Sequence, residues 1–281
     1  MSGLAPSALV LGGTVATYLI GAVLLAANLL LRRTGLLTAG RVAAILGAVL
    51  HMTAIGLRCI EVHRAPFTTP AESLSLLAWI VVLVYLGMEV LWRLSATGPF
   101  ALGLSFLLVL MGAVFSGGKS QGTSAASLAA RPLLAENAVS LHIIATITAI
   151  GAFALAFCCA ALYLVAYRIL KSKHGLSWMK RLPPLGTVER AAFTLVAIGF
   201  PLLTLGILSG LVRAIGGGMD QGWQTDPKTL LAYVVWVVYG VYLIARLSLN
   251  WSPVRTAYVL IVGLALSLLL FAIPSSSHQF R

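Results

Sequence analysis

A stretch of about 20 apolar residues has few fates: it crosses a bilayer as a helix, or it disappears into a large core. This chain carries eight such stretches: Ala8–Leu31, Arg41–Leu57, Leu74–Trp92, Phe100–Phe115, Val139–Leu170, Ala191–Ile215, Leu230–Leu247 and Val254–Ile273. Little polar chain is left to wrap around them. Only 9% of the 281 residues are charged, where a soluble domain has about 25%. Backbone amides and carbonyls in lipid must be satisfied within the segment itself, which selects helices. Gly and Pro punctuate the gaps, at Pro66, Pro70, Pro132, Pro183-Pro184 and Pro274. The expected fold is an all-α integral membrane protein, a single transmembrane domain over residues 1–281 with a bundle of about eight helices. The fourth span is short, and the fifth is long enough to project beyond the bilayer.

The 19 basic residues against 7 acidic ones are scattered between apolar runs. They do not form the clustered polar surface that a nucleic acid requires, so no nucleic-acid partner is expected and the excess reads as topology. Counting along alternate loops puts Arg32, Arg33, Arg41, Arg93, Arg168, Lys171, Lys173, Lys180, Arg181, Arg190, Arg246 and Arg255 on one side. Arg58, Arg64, Lys119, Arg131, Arg213, Lys228 and Arg281 fall on the other. The richer side should face the cytoplasm, which places both termini outside in a bacterial cytoplasmic membrane. The first span has no basic residue before it and Arg32-Arg33 after it, the reverse of a signal peptide, so it is expected to be retained. Cys59, Cys158 and Cys159 form no CxxC pair, and neither a disulfide scaffold nor a thiol-redox pair is expected.

Polarity between apolar runs then needs a reason. Gly222-Trp223-Gln224-Thr225-Asp226-Pro227-Lys228 is a polar loop between the sixth and seventh spans, on the outer side. Four of the five histidines fall toward that side: His142 near the outer end of the fifth span, His278 after the eighth, His63 in an outer loop and His51 inside the second span. Asp226 and Pro227 also suit the N-cap and first position of a helix, a purely structural role. Trp236 reads more readily as a packing or interface aromatic. Glu89 and Arg93 stand at i,i+4, the spacing of an ion pair on one helix face, and Glu72 resembles a cap for the third span. Arg58 lies seven residues after His51, on the same face.

These residues resemble a family. Trp223-x-x-Asp226-Pro227-Lys228, followed by Trp236 and Tyr239, is similar to the tryptophan-rich WWD segment of the cytochrome c assembly proteins, the haem-handling membrane family with CcsA-, CcmC- and HemX-type branches. Arg58, Pro66, Glu72-Ser73-Leu74 and Trp79 resemble its outer loop and following helix. Leu141-His142 with Tyr163 resembles its histidine-bearing helix, Gly199 through Gly206 the helix before the WWD loop, and Ser277-His278 its final outer histidine. The likeness runs over about residues 45–281. It implies a b-type haem held transiently between His142 and His278 as axial ligands, with Trp223, Asp226, Pro227 and Lys228 as the platform. Three departures stand out: Thr225 replaces a second tryptophan, Thr229 replaces an acidic residue, and Ile244 occupies the place of a membrane histidine in Tyr242-Leu243-Ile244-Ala245-Arg246. They draw the likeness toward the HemX branch.

The residue chemistry fits that implication. Imidazole is a standard axial ligand to haem iron, Trp223 offers a flat face for stacking, and Arg58, Arg64, Arg213 or Lys228 can meet anionic propionates. A ligating histidine wants an acceptor for its other nitrogen, for which Glu136 is the sequence candidate. His51 is a reserve ligand or a hydrogen-bond partner, and Trp236 a further wall. The expected function is to hold or present haem at the outer face during cytochrome c maturation, with apocytochrome c and a partner membrane subunit as partners. Thioether ligation, if the chain takes part in it, would belong to a complex. Two rival readings stay open. One is a HemX-like regulator of tetrapyrrole synthesis acting on a cytoplasmic enzyme through the basic loop 168–190. The other is a small-molecule permease, which would need ionisable groups through the midplane that the spans do not supply.

Overall fold

The computed structural model describes residues 5–63, 67, 69–115, 137–172, 182–218 and 222–273. Among them lie eight α-helices and no strand. They are α1 (Pro6–Leu31), α2 (Thr34–Val62), α3 (Pro70–Trp92), α4 (Gly98–Phe115), α5 (Asn137–Lys171), α6 (Leu185–Arg213), α7 (Pro227–Leu247) and α8 (Pro253–Ala272). All eight are long and apolar enough to cross a membrane, and the fold is an all-α integral membrane bundle.

Where the helices begin follows from local chemistry. Pro6, Pro70, Pro227 and Pro253 each occupy a first helical position, where a missing N–H costs nothing and the fixed φ is already helical. Three helices end on a charged or imidazole residue in the left-handed region: Arg32 (φ 52°), His63 (φ 52°) and Arg93 (φ 53°). Several helices outrun the apolar stretch that announces them. α2 begins at Thr34 rather than Arg41, α3 at Pro70 rather than Leu74 and α6 at Leu185 rather than Ala191. Apolarity measures the lipid-facing stretch, whereas the hydrogen-bond ladder continues until a cap stops it.

The helices pack as two groups of four. α1–α4 form one, α5–α8 the other, and α3 lies against α5 to join them. α5 is the central helix: 72% of its apolar window is buried, against 22% for α1 and for α7. Small residues bring the helices close, as the absence of a hydrophobic drive between helices in lipid demands. A Cβ on Gly151 of α5 would lie 2.5 Å from the Ile80 side chain of α3, and one on Gly47 of α2 would lie 2.7 Å from the Tyr18 ring of α1. Gly151 meets Ile80, and eight residues later Cys159 reaches Met88, eight residues beyond Ile80, with Sγ 3.9 Å from Sδ. α3 and α5 therefore run parallel, and the first ends of both lie on one side of the bundle. All three cysteines are free thiols.

Polar pairs tie helix ends together. At the end holding the α1 and α3 starts, the Ser7 hydroxyl and amide donate to Glu61 at 2.6 and 3.0 Å. Arg58 pairs with both Glu61 (3.6 Å) and Glu72 (3.3 Å) there. Thr69 caps α3, its hydroxyl accepting from the Glu72 amide, so Glu72 is the third residue of the helix rather than its cap. At the opposite end Glu89 departs from expectation. Its carboxylate pairs with Arg41 Nε at 2.6 Å and accepts from the Tyr85 hydroxyl at 2.7 Å, not from Arg93. Arg93 has already left the helix in its left-handed cap and is exposed, whereas Glu89 is buried. Arg246 of α7 pairs with Glu189 of α6 at that same end.

A candidate cofactor site around His142

His142 stands in the second turn of α5 and is half-buried against α6. Its Nδ1 lies 2.7 Å from the Gly206 carbonyl. A carbonyl only accepts, so Nδ1 carries a proton, and in the neutral imidazole the Nε2 lone pair is the basic site. Among the described residues Nε2 has no hydrogen-bond partner. The ring sits over Gly210, where a Cβ would come within 2.9 Å of Nδ1. One turn on, Thr146 fills the space above Gly206, where a Cβ would meet its methyl at 2.4 Å. The two glycines thus let α6 approach close enough for its backbone to hold the imidazole. The Thr146 hydroxyl returns to the His142 carbonyl at 2.6 Å, and Ser209 donates to the same Gly206 oxygen at 2.9 Å.

The polar loop lies at the same end of the bundle. Gly222 (φ 103°) opens a single 3-10 turn, Trp223–Thr225, with Trp223 half-buried. Asp226 is buried and caps α7, its Oδ1 accepting from the Lys228 amide at 2.9 Å, with Pro227 at the first helical position. The Lys228 ammonium lies within electrostatic reach of the His142 ring. His142, Trp223, Asp226, Pro227 and Lys228 therefore gather where α5 starts, α6 ends and α7 starts. Trp236 is placed differently: its indole N–H donates to Thr204 on α6 at 2.9 Å and its ring stacks on Phe200, with centroids 5.3 Å apart. That side chain fastens α7 to α6.

His51 and Arg58 belong to the other half of the bundle. His51 is fully buried, with Nδ1 3.0 Å from the Tyr18 hydroxyl and Nε2 2.8 Å from the Ser75 hydroxyl. Both nitrogens are engaged, the hydrogen-bonding alternative for this residue. Arg58 faces Glu61 and Glu72 as described. His278, Arg64, Glu136 and the loop residues Lys180 and Arg181 lie outside the described residues. Ile244 is 57% exposed on the outer surface of α7, between the buried Tyr242 and Ala245, so a histidine at that position would point away from the bundle.

The cradle of His142 escaped the sequence reading. A carbonyl acceptor has no residue signature, but the spacing of Gly199, Gly206 and Gly210 does, since residues seven and eleven apart fall on one helix face.

The residues fit a haem ligand site in two respects: an imidazole whose Nδ1 proton is held by a carbonyl, and a cationic neighbour in Lys228, with the half-buried Trp223 at the same end of the bundle. The model of the cytochrome c assembly protein family matches residues 67–279. His142, the Trp223–Lys228 segment, Trp236 and His278 fall inside that match, whereas His51 and Arg58 precede it. A cytochrome c biogenesis protein CcsA of Guillardia theta is 26% identical over 79% of this chain and 77% of its own length. Protein HemX of Bacillus subtilis (strain 168) is 29% identical over 66% of this chain and 64% of its own. CcsA of Thermosynechococcus vestitus is 38% identical over a shorter stretch, 30% of this chain and 26% of that protein. With three quarters of its length inside one family model, the chain belongs to the cytochrome c assembly protein family.

Proposed function

We propose that this protein holds haem at the membrane face where α5 and α7 begin, and presents it to apocytochrome c or to a partner subunit. His142 and His278 supply the axial nitrogens, Trp223 through Lys228 the platform, and Lys228 a counter-charge for a propionate. The observation that carries the proposal is the His142–Gly206 hydrogen bond, because a donor bond from Nδ1 is what fixes an imidazole for ligation through Nε2. Bound haem would contribute an iron with two axial positions and a wide apolar face. The chain's own part is to orient His142, balance charge with Lys228 and shield one face with the indole. The face so used is the outer one of a bacterial cytoplasmic membrane, with both termini on that side.

The test is absorption spectroscopy of the purified full chain, loaded with haem in mild detergent. A low-spin spectrum that is lost in both His142→Ala and His278→Ala supports the bis-histidine site. No haem uptake in the unaltered protein overturns it. The likeness to HemX of Bacillus subtilis favours a second reading, regulation of tetrapyrrole synthesis through a cytoplasmic enzyme. Under that reading Lys180→Gln with Arg181→Gln changes tetrapyrrole output, and His142→Ala leaves it untouched.

A further inference from the structure

About 30–40 Å along α5 from His142, by the rise of a helix, the bundle surface opens into a groove of about 250 Å³ between α1, α4 and α5. Its lining is entirely apolar and includes Ala26, Leu29, Leu30, Phe100, Val165 and Ile169. No side chain there can ligate iron or donate a hydrogen bond, so the lining offers nothing to haem iron or to a polar metabolite. The groove opens sideways toward lipid: Leu30 is 50% and Val165 44% exposed.

Its mouth is cationic. Arg32 and Arg33 follow Leu30 directly beyond Leu31, and Arg168 and Lys171 flank Ile169. All four are exposed, and among the described residues none meets a carboxylate. That sets them apart from Arg41, Arg58 and Arg246, each of which is matched to a glutamate. Apolar depth with a rim of unmatched cations is the complement of one kind of molecule.

We infer that this groove is a binding site for an anionic phospholipid, one acyl chain lying along Leu29, Phe100 and Val165 and the headgroup phosphate held by Arg32, Arg33 and Arg168. The guanidinium groups suit phosphate by their paired donors. A resident lipid would fill the gap that α1, α4 and α5 leave and anchor the first half of the bundle to the second.

The experiment uses the full-length protein in detergent, stripped of lipid and titrated with phosphatidylglycerol or with phosphatidylcholine of the same chains, bound lipid being read by native mass spectrometry. Phosphatidylglycerol should bind the more tightly. The variant R32Q/R33Q/R168Q should lose that preference, by about fivefold for each charge removed, and still bind phosphatidylcholine weakly. Val165→Trp, which blocks the groove, should lower binding of both lipids. Arg255→Gln, an exposed basic residue at the start of α8, should change neither. Equal affinity for the two lipids overturns the inference, as does a preference that survives R32Q/R33Q/R168Q or undiminished binding to Val165→Trp. All the substitutions lie at exposed positions, and an unchanged elution volume and helical circular dichroism identify the folded preparations that count.

Discussion

The decisive group at the residue scale is a backbone carbonyl. Gly206 fixes which nitrogen of His142 bears the proton, and Gly210 fixes how near the ring may lie. Gly210→Ala should push the imidazole off that carbonyl without touching its chemistry, and weaken haem retention by about tenfold to a hundredfold, the usual effect of losing a ligand's orienting partner. Gly103→Ala, where an added Cβ meets nothing within 4 Å, should leave retention unchanged in the same spectroscopic titration. Equal retention in both variants would remove the orienting role from the Gly206 contact. His51 makes the converse case. Substitution by Ala strands the Tyr18 hydroxyl in the core and removes the partner of the half-buried Ser75 hydroxyl, and thermal unfolding should show a loss of about 1–2 kcal/mol with the haem spectrum intact. A lost spectrum at full stability would instead make His51 a ligand. Sequence reasoning could pick out both histidines, because imidazoles in apolar runs are conspicuous. It could not divide their roles: the partner of one is a carbonyl 64 positions away, and the partners of the other are ordinary hydroxyls on two different helices.

Legibility improves for the elements. Apolar length alone locates all eight helices, since lipid imposes the helix and its minimum span together. Ends are harder. The Asp226-Pro227 start of α7 is readable because cap chemistry is local. The Glu89–Arg93 pairing fails because an i,i+4 rule presumes a helix that continues, and Arg93 terminates it; Glu89 turns instead to Arg41 on a neighbouring helix. The buried Asp226 cap invites a test that separates structure from cofactor contact. Asp226→Asn keeps a side-chain acceptor for the Lys228 amide, so stability should be nearly unchanged. Asp226→Ala should lower it by about 1 kcal/mol and fray the first turn of α7, visible as faster amide exchange at residues 228–230. If Asn and Ala variants lose haem alike while Asn stays stable, the carboxylate acts on the cofactor directly and capping is secondary.

For the whole molecule, the helices alternate in direction, and the parallel run of α3 beside α5 puts the Arg58–Glu61–Glu72 knot and His142 at one end. The unmatched cations Arg32, Arg33, Arg168 and Lys171 lie at the other. The fold ties the two ends to opposite sides: whatever orients the bundle orients the His142 site with it. The basic end should be cytoplasmic, and single cysteines can read this directly. In a Cys59→Ser background the two remaining native thiols, Cys158 and Cys159, are fully buried and should stay silent. His63→Cys, at the exposed cap of α2, should then react with a membrane-impermeant maleimide in intact cells, and Ser172→Cys, just past α5, only after the membrane is opened. The reverse pattern would place His142 and the Trp223–Lys228 loop in the cytoplasm. Delivery to an apocytochrome outside would then be impossible from that site, however well the imidazole is held.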